Sequence, residues 1–390
     1  KALEIKRLPA EISYVASMRE EEAMEKRLSR KISSYVGQFL RVLSKPQRKS
    51  FPLYIVGLIW MIKFRSIREI AMAYGSENVD RLHQFLTGSI RKINRLQETM
   101  RQAVVRPVGQ AKRLLILDDT PCPREGKHIE GIGIHHGGDG FVRGLCAVTA
   151  VIKTGAERFC WAIRGYRPKG TCPKGTFKSK VQLAIEILTE TSEHIGRGAL
   201  TVLMDSWYSC APILQPIQEA GWTFVAAIRQ NRLVRVEGTK RSVRHLAKGR
   251  RFVSVRLSKK RRFRVAKMTV ALPKVGTVLL FISTEGNAVR YLVTNDLSMT
   301  EREMVRLYAQ RWGIETFHRE IKQYLGFGEL FMRSWTGVQT HWTLVGIAYN
   351  MIVLWNAKRS RSFRQALRDF RGSISHENII RLPKRLRLAS

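Results

Sequence analysis

Acidic residues are scarce in this chain. Its 390 residues carry 31 Asp and Glu against 69 Lys and Arg, a formal net charge of +38 and a pI near 10.8. Solubility needs far less charge than this. The imbalance therefore points to a polyanionic partner, nucleic acid being the usual one and an anionic membrane the alternative. Long apolar runs are also missing. The longest, residues 51–62 and 343–355, fall short of or interrupt the ~20 residues that a membrane crossing needs, and they read as core helices. The charged, mixed start Lys1–Ile12 does not read as a secretory leader. Cysteine is sparse: Cys122, Cys146, Cys160, Cys172 and Cys210 are scattered, odd in number and without a C-x-x-C pair. That argues against a disulfide framework or a zinc site and fits a reducing, cytoplasmic setting. The nine histidines include His135-His136 but no H-E-x-x-H. The glycine-rich loop at 124–133 lacks Walker spacing and any dinucleotide fingerprint, so no nucleotide cofactor is expected. It either approaches the polyanion or joins two strands.

What is present divides the chain by pattern. With 44% hydrophobic residues, the chain can build a large core and two or three domains. Apolar spacing through 32–43, 53–64, 67–73 and 79–86 predicts helices over residues 1–105. The stretch at 67–75, closed by Gly75, fits either a helix-turn-helix or a plain helical bundle. Residues 114–119, 142–154, 157–166 and 199–204 then read as strands, with a Pro/Gly-rich loop at 121–140 and a helix at 177–195. That order predicts a mixed α/β sheet. Residues 222–293 are rich in β-branched residues and arginine. The first strand, 222–228, fits the main sheet and the rest an inserted β-rich unit. Two basic runs lie in it, Lys248-Gly249-Arg250-Arg251 and Lys259-Lys260-Arg261-Arg262. They are either a solvated face or phosphate contacts. Thr300-x-x-Glu303 starts one helix that runs to about Leu325 and stops at Gly326. Another helix covers 342–357, and a basic, partly helical tail occupies 358–390.

On the helix from Thr300, Tyr308, Arg311, Glu315 and Lys322 are spaced to project from one side. Upstream, two predicted strands end in acids, at Asp118-Asp119-Thr120 and at Asp205-Ser206-Trp207-Tyr208. Taken singly, each acid has a structural explanation. A strand-end Asp caps a turn, and Glu315 pairs with Arg311 or Arg319 four residues away. Together they form a set of three carboxylates with a basic clamp. Phosphodiester chemistry calls for such a set, because Mg²⁺ is held by a few carboxylates and keeps waters and substrate oxygens. Asp118 and Asp119 fall on opposite faces of their strand, so one of them is the primary ligand. Asp118 is favoured and Asp119 remains the alternative. Trp207 follows Asp205 and is the open aromatic candidate for contact with a base. Trp312 points off the Arg311 side and is assigned to core packing, and Trp335 also lies near the motifs.

The spacing Tyr308-x2-Arg311-x3-Glu315-x6-Lys322 resembles the Tyr-Arg-Glu-Lys signature of DDE transposases of the insertion-sequence-four superfamily. The two aspartate segments resemble its first and second acids. The resemblance covers roughly residues 110–330. It implies an RNase H-like catalytic core (106–228 and 299–357) interrupted by a β-rich insertion (229–298), between a helical DNA-binding domain (1–105) and a basic C-terminal region (358–390). It further implies cut-and-paste transposition on double-stranded DNA. A homodimer would pair the two terminal repeats, and a freed 3′-OH would attack target DNA, in some relatives through a hairpin. Two Mg²⁺ ions, replaceable by Mn²⁺, would be held by Asp118 (or Asp119), Asp205 and Glu315. Tyr308, Arg311 and Lys322 would grip phosphates, with Trp207, Arg250, Arg251, Lys259 and Lys260 as further DNA contacts. A metal-dependent nuclease without strand transfer and a non-catalytic DNA-binding protein are the alternatives.

Overall fold

The run Leu114-Leu115-Ile116-Leu117 has no polar side to offer water, and the chain buries it on both faces as the central strand β1 (Arg113–Pro123). The computed structural model describes residues 26, 29–62, 65–74, 79–88, 90–108, 113–137, 140–198, 200–329, 332–357 and 359–385. The start Lys1–Ile12, the Gly75 stop and the tail's end at 386–390 lie outside the described residues.

Five strands form the middle of the sheet. β1 is antiparallel to β3 (Gly140–Thr154), and β3 is antiparallel to β4 (Glu157–Tyr166) along its second half. On the other side β1 runs parallel to β5 (Leu200–Met204), which runs parallel to β6 (Thr223–Ile228). The order is thus β4-β3-β1-β5-β6. The loop expected at 121–140 is strand toward both ends, with residues 124–132 left as the connection. Residues 121–123 stay in β1, and β2 (Gly133–Gly137) pairs with the start of β3. Gly144 makes this possible, since its bare Cα lets β3 lie tight against the Cys122 carbonyl.

The β-rich segment does not leave the sheet. β7 (Leu233–Val236), β8 (Thr239–Ser242), β9 (Val253–Arg256), β10 (Arg262–Leu272), β11 (Gly276–Glu285) and β12 (Ala288–Thr294) extend it outward from β6, giving one sheet of twelve strands among the described residues.

Helices cover this sheet. On one face lie α6 (Lys180–Ser192) and α7 (Ala211–Glu219), where Trp161 of β4 donates to Thr191 of α6 at 2.8 Å. The Asp118 face of β1 carries α9 (Trp312–Tyr324), preceded by α8 (Glu301–Ala309). The single helix expected over 300–325 is therefore two. At the break, the amides of Gln310, Arg311, Gly313 and Ile314 bond three residues back rather than four. This tightens the turn and starts a new helix at Trp312.

The remaining helices share one core. Residues 29–42 form α1, followed by α2 (Lys45–Trp60), α3 (Ile67–Ala73), α4 (Val79–Thr87) and α5 (Ile90–Val108). After the sheet come α10 (Trp335–Asn356), α11 (Phe363–Ser373), α12 (His376–Ile380) and α13 (Leu382–Arg385). α10 begins at Trp335, earlier than the expected Trp342, because the Ser334 hydroxyl caps the Gly337 amide. It is apolar on nearly all sides and buried, packed between β4 and the early helices. Tyr35 donates to the Ile347 carbonyl at 3.1 Å, Tyr54 pairs with His341 Nδ1 at 2.8 Å, and Arg371 donates to the Ile59 carbonyl at 2.7 Å. The buried Arg65 pairs with Glu329 at 2.7 Å. No helix among the described residues is long and apolar enough to cross a membrane.

A Cβ placed at Gly144 would sit 2.1 Å from the Cys122 carbonyl oxygen. Gly144→Ala is expected to cost ~2–3 kcal/mol as the β1–β3 ladder spreads. Thermal unfolding followed by circular dichroism reads this as a lowered midpoint, and an unchanged midpoint would contradict the tight register.

Candidate active site

The parallel register sets the first two acids side by side. Leu117 of β1 is level with Met204 of β5, so the next residues, Asp118 and Asp205, come side by side where the parallel pairing stops. β5 ends there, whereas β1, expected to end at its aspartates, runs on to Pro123 against β3, and the crevice opens beside it. Asp205 Oδ1 accepts the backbone amides of Trp207 at 2.9 Å and Tyr208 at 3.3 Å, which ties the chain into a turn just past the strand.

Asp118 and Asp119 have different partners. Asp118 faces α9, and its Oδ2 accepts Arg311 Nη1 at 3.1 Å. Asp119 points to the other face, where Oδ2 accepts Lys180 Nζ at 2.6 Å and the Cys146 thiol at 3.4 Å, and Oδ1 accepts the Tyr208 hydroxyl at 3.0 Å. Both oxygens of Asp119 are thus engaged by groups that hold α6 and the β5–α7 turn to the sheet.

The break between α8 and α9 keeps the signature residues over β1. Tyr308 lies in the last turn of α8, Arg311 is the N-cap of α9, Glu315 is in its first turn and Lys322 in its last. The Arg311 guanidinium forks, with Nη1 on Asp118 and Nη2 on Glu315. It also lies 5.9 Å from the centre of the Tyr308 ring. Lys322 Nζ donates to the Pro121 carbonyl at 2.8 Å. The structure thus brings Asp118, Asp205, Glu315, Tyr308 and Arg311 to one place, and sets Lys322 farther along β1.

Burial dominates the electrostatics of the cluster. Burial pushes the Asp118 carboxyl up to about 7; the Asp205 charge adds to this, while Arg311 opposes it. Burial also raises Asp205, against the two amides that favour its charged form. Burial raises the Tyr308 phenol and lowers Lys322. Oxygen donors of this kind suit a hard divalent cation. The three acids hold their oxygens wider apart than Glu98, Glu193 and His194. That trio is the one group among the described residues with three ligand atoms within 4.8 Å of one another. In it Glu98 is already paired with Arg101 at 2.9 Å and His194 at 3.1 Å. Between Asp118 and Glu315 the Arg311 guanidinium stands in the position of a cation.

The other expected contacts are distributed around this centre. Trp207 is 52% exposed beside Asp205, with Lys180 at 5.9 Å and Arg229 at 5.7 Å from its ring. Trp312 is not in the core. It is 63% exposed, because the break at Gln310–Arg311 makes it the first residue of α9, at the outer rim. Trp335 packs against Gly131 and Gly165. Arg250 and Arg251 lie exposed in the loop before β9, and Lys259 and Lys260 in the β9–β10 turn. Arg261 is committed to Glu285 by two bonds of 2.6 and 2.8 Å. His135 is buried, its Nε2 3.1 Å from the Gly144 carbonyl oxygen.

Sequence reasoning missed the supports. Lys180 and Tyr208, which hold Asp119, gave no signal beyond the Ser179-x-x-Gln182 cap and the neighbouring Asp205. His318 pairs with the Thr149 hydroxyl at 2.7 Å, and that hydroxyl donates to the Asp118 carbonyl at 3.2 Å. Burial keeps His318 neutral, its pKa lowered to about 3. Its spacing from Arg311 and Glu315 on α9 was the available clue.

Comparison with known proteins places this arrangement in context. The sequence profile described as DDE superfamily endonuclease matches residues 38–272, more than half of the chain. The match takes in Asp118, Asp119 and Asp205 and ends before α9. Among curated proteins, the chain is similar to the "Probable transposase for insertion sequence element IS701" of Microchaete diplosiphon. The two are 24% identical over 305 residues, which span 75% of this chain and 78% of that protein.

A carboxyl raised on folding takes up a proton relative to the unfolded chain, so its cost is absent at low pH and grows as pH rises toward the folded pKa. Asp118→Asn is therefore expected to raise metal-free stability, by ~1–2 kcal/mol at pH 8. The advantage should shrink as pH falls from 7 to 4, the window set by the raised value near 7. Chemical denaturation at several pH values measures it. A constant difference across that window would mean that Asp118 is not the strained carboxyl.

Proposed function

This chain belongs to the DDE superfamily endonucleases, and from that premise we propose that it is a transposase that cuts the ends of a mobile DNA element and joins them to target DNA. One observation carries the reading. Asp118 and Asp205 come side by side where two parallel strands stop pairing, beneath a helix that brings Glu315 and Arg311 to them. The likeness to an insertion-sequence transposase over most of both chains supports it. The order β4-β3-β1-β5-β6, with β3 antiparallel to β1, supports an RNase H-like core.

In this reading Asp118, Asp205 and Glu315 hold divalent metal, Mg²⁺ with Mn²⁺ as substitute. The donor set fits: three carboxylates, one with its proton affinity raised by burial and by its neighbour, and a guanidinium already bridging two of them. When bound, two such ions supply charge neutralisation at the phosphate and an activated oxygen nucleophile. The chain's own residues do the rest. Arg311 presents a planar fork matched to phosphate oxygens, and Lys322 presents a point charge. Tyr308 packs beside Arg311 and limits its motion. Asp119, held by Lys180 and Tyr208, fixes the strand so that Asp118 points to the substrate side.

Trp207, exposed beside Asp205, offers a stacking face to a base next to the cut. Arg250, Arg251, Lys259 and Lys260 stand on exposed loops and contact the DNA backbone. The N-terminal segment 1–105, whose described residues form α1 to α5, binds the element's terminal repeats, and two copies of the chain pair two ends. Cleavage frees a 3′-OH that attacks target DNA, with a hairpin at the element end as one route.

The test is cleavage and joining on labelled DNA carrying the element's own ends, with Mg²⁺. Asp205→Asn and Glu315→Gln are expected to lose at least ~10³-fold in cutting rate, the scale of a lost transition-state contact, while retaining DNA binding. Lys322→Ala should lose less, ~10–100-fold. Full activity in Glu315→Gln would remove the three-acid site. Cutting without joined product would leave a nuclease.

A further inference from the structure

The β2–β3 hairpin carries an exposed face that the catalytic reading does not use. In its register Ile134 lies opposite Arg143 and His136 opposite Phe141. With side chains alternating along each strand, these four share one face. All four are exposed, Ile134 at 72% and Phe141 at 80%. The opposite face anchors the hairpin. There His135 is buried, its Nε2 3.1 Å from the Gly144 carbonyl oxygen and its ring edge-on to Tyr166 at 5.8 Å. The exposed face is ordered from within as well. The Phe141 and His136 rings meet edge-on at 5.6 Å. Arg143 donates to the carbonyls of Arg124 at 3.4 Å and Gly126 at 3.2 Å, which fixes where its guanidinium stands.

Register also tells where this face looks. Asp118 is level with Thr149 of β3, and Phe141 lies eight residues back along the same strand, an even number. Phe141 and Arg143 are therefore on the Asp118 side of the sheet. At ~3.3 Å per residue the separation is roughly 26 Å, about eight steps of ~3.4 Å along duplex DNA. Two exposed apolar side chains alternating with two nitrogen-bearing ones are a poor seat for a protein core, which wants a contiguous apolar patch. They suit a nucleic-acid groove, where apolar groups meet sugars and base edges and cations meet the flanking phosphates. The charge of the chain, +38, complements that partner.

We propose that the face formed by Ile134, His136, Phe141 and Arg143 is a duplex-DNA contact, made about eight base pairs from the cut. Phe141 and Ile134 seat in a groove, and Arg143 and His136 meet the phosphates on either side. This inference rests on the transposase reading for the position of the cut, and adds to it a second point of contact that fixes the angle at which the duplex enters the site.

The experiment uses the full chain and duplexes of the element's end, each with a single 5-iodouracil placed progressively farther from the cut. Irradiation is expected to crosslink the peptide containing Phe141, most strongly near the eighth base pair. Phe141→Ala should weaken binding about tenfold without changing its salt dependence. Phe141→Trp should restore it. Arg143→Ala should lower the slope of log affinity against log salt by about one. Both positions are exposed, so neither variant is expected to lose the fold. Cutting by a protein that never crosslinks through this hairpin would overturn the proposal, as would Phe141→Ala shifting the sedimentation of the DNA-free protein while its DNA affinity holds. The second result would make the hairpin a contact between copies of the chain. A chain that crosslinks as described but never cuts would instead sink the transposase reading and leave the DNA contact standing.

Discussion

One guanidinium organises the site. Arg311 touches carboxylates from two distant parts of the chain, Asp118 on the central strand and Glu315 on the helix above it. Without that cation, three partly buried acids would face one another where the pairing of β1 with β5 stops, and their repulsion would press the helix away. The pair is part-buried, where water screens less and an unmatched charge costs more. Arg311 holds the acids in register and occupies the position of a cation. The strand pair, the helix break and the buried supports can all be understood as means of delivering that side chain to that position.

The helix break serves this purpose directly. In a single helix Arg311 would sit in the middle of a run, with Trp312 turned away toward other packing. Tightened bonds at Gln310–Ile314 instead make Arg311 the N-cap of α9, with Tyr308 on the preceding helix beside it. The same break brings Trp312 to the rim. Support continues beneath, where His318, kept neutral by burial, links α9 through Thr149 to the Asp118 carbonyl.

Much of this was legible in the sequence. The run from Leu114 to Leu117 announced a strand buried on both faces. Alternation separated Asp118 from Asp119, and the Thr300-x-x-Glu303 cap placed the start of α8. These are local signals, set by period and by cap chemistry. The helix break was hidden because Gln310 and Arg311 keep helical backbone angles, and the one local signal, Gly313 within the tightened turn, sits inside an unbroken helical spacing of the signature residues. β2 was hidden by a glycine-rich composition that reads as loop, and only pairing with β3 makes it a strand. The roles of Lys180 and His318 depend on contacts across many residues of sequence. Trp312 was misjudged for the same reason as the break, since helical phase was extended through a point where it resets.

The shared helical core has a consequence in time. Tyr54 of α2 finds its buried partner at His341, 287 residues later, and Tyr35 waits for Ile347. At ~5–20 residues per second of synthesis, the early helices emerge tens of seconds before α10 exists to cover them. During that interval the apolar sides of Phe39, Phe51 and Tyr54 face water, other chains or chaperones. A nascent chain of this protein thus carries Asp118, Asp205 and their α6–α7 cover before α9 and α10 exist, and its early helices stay without their partner until residues 335–356 are made.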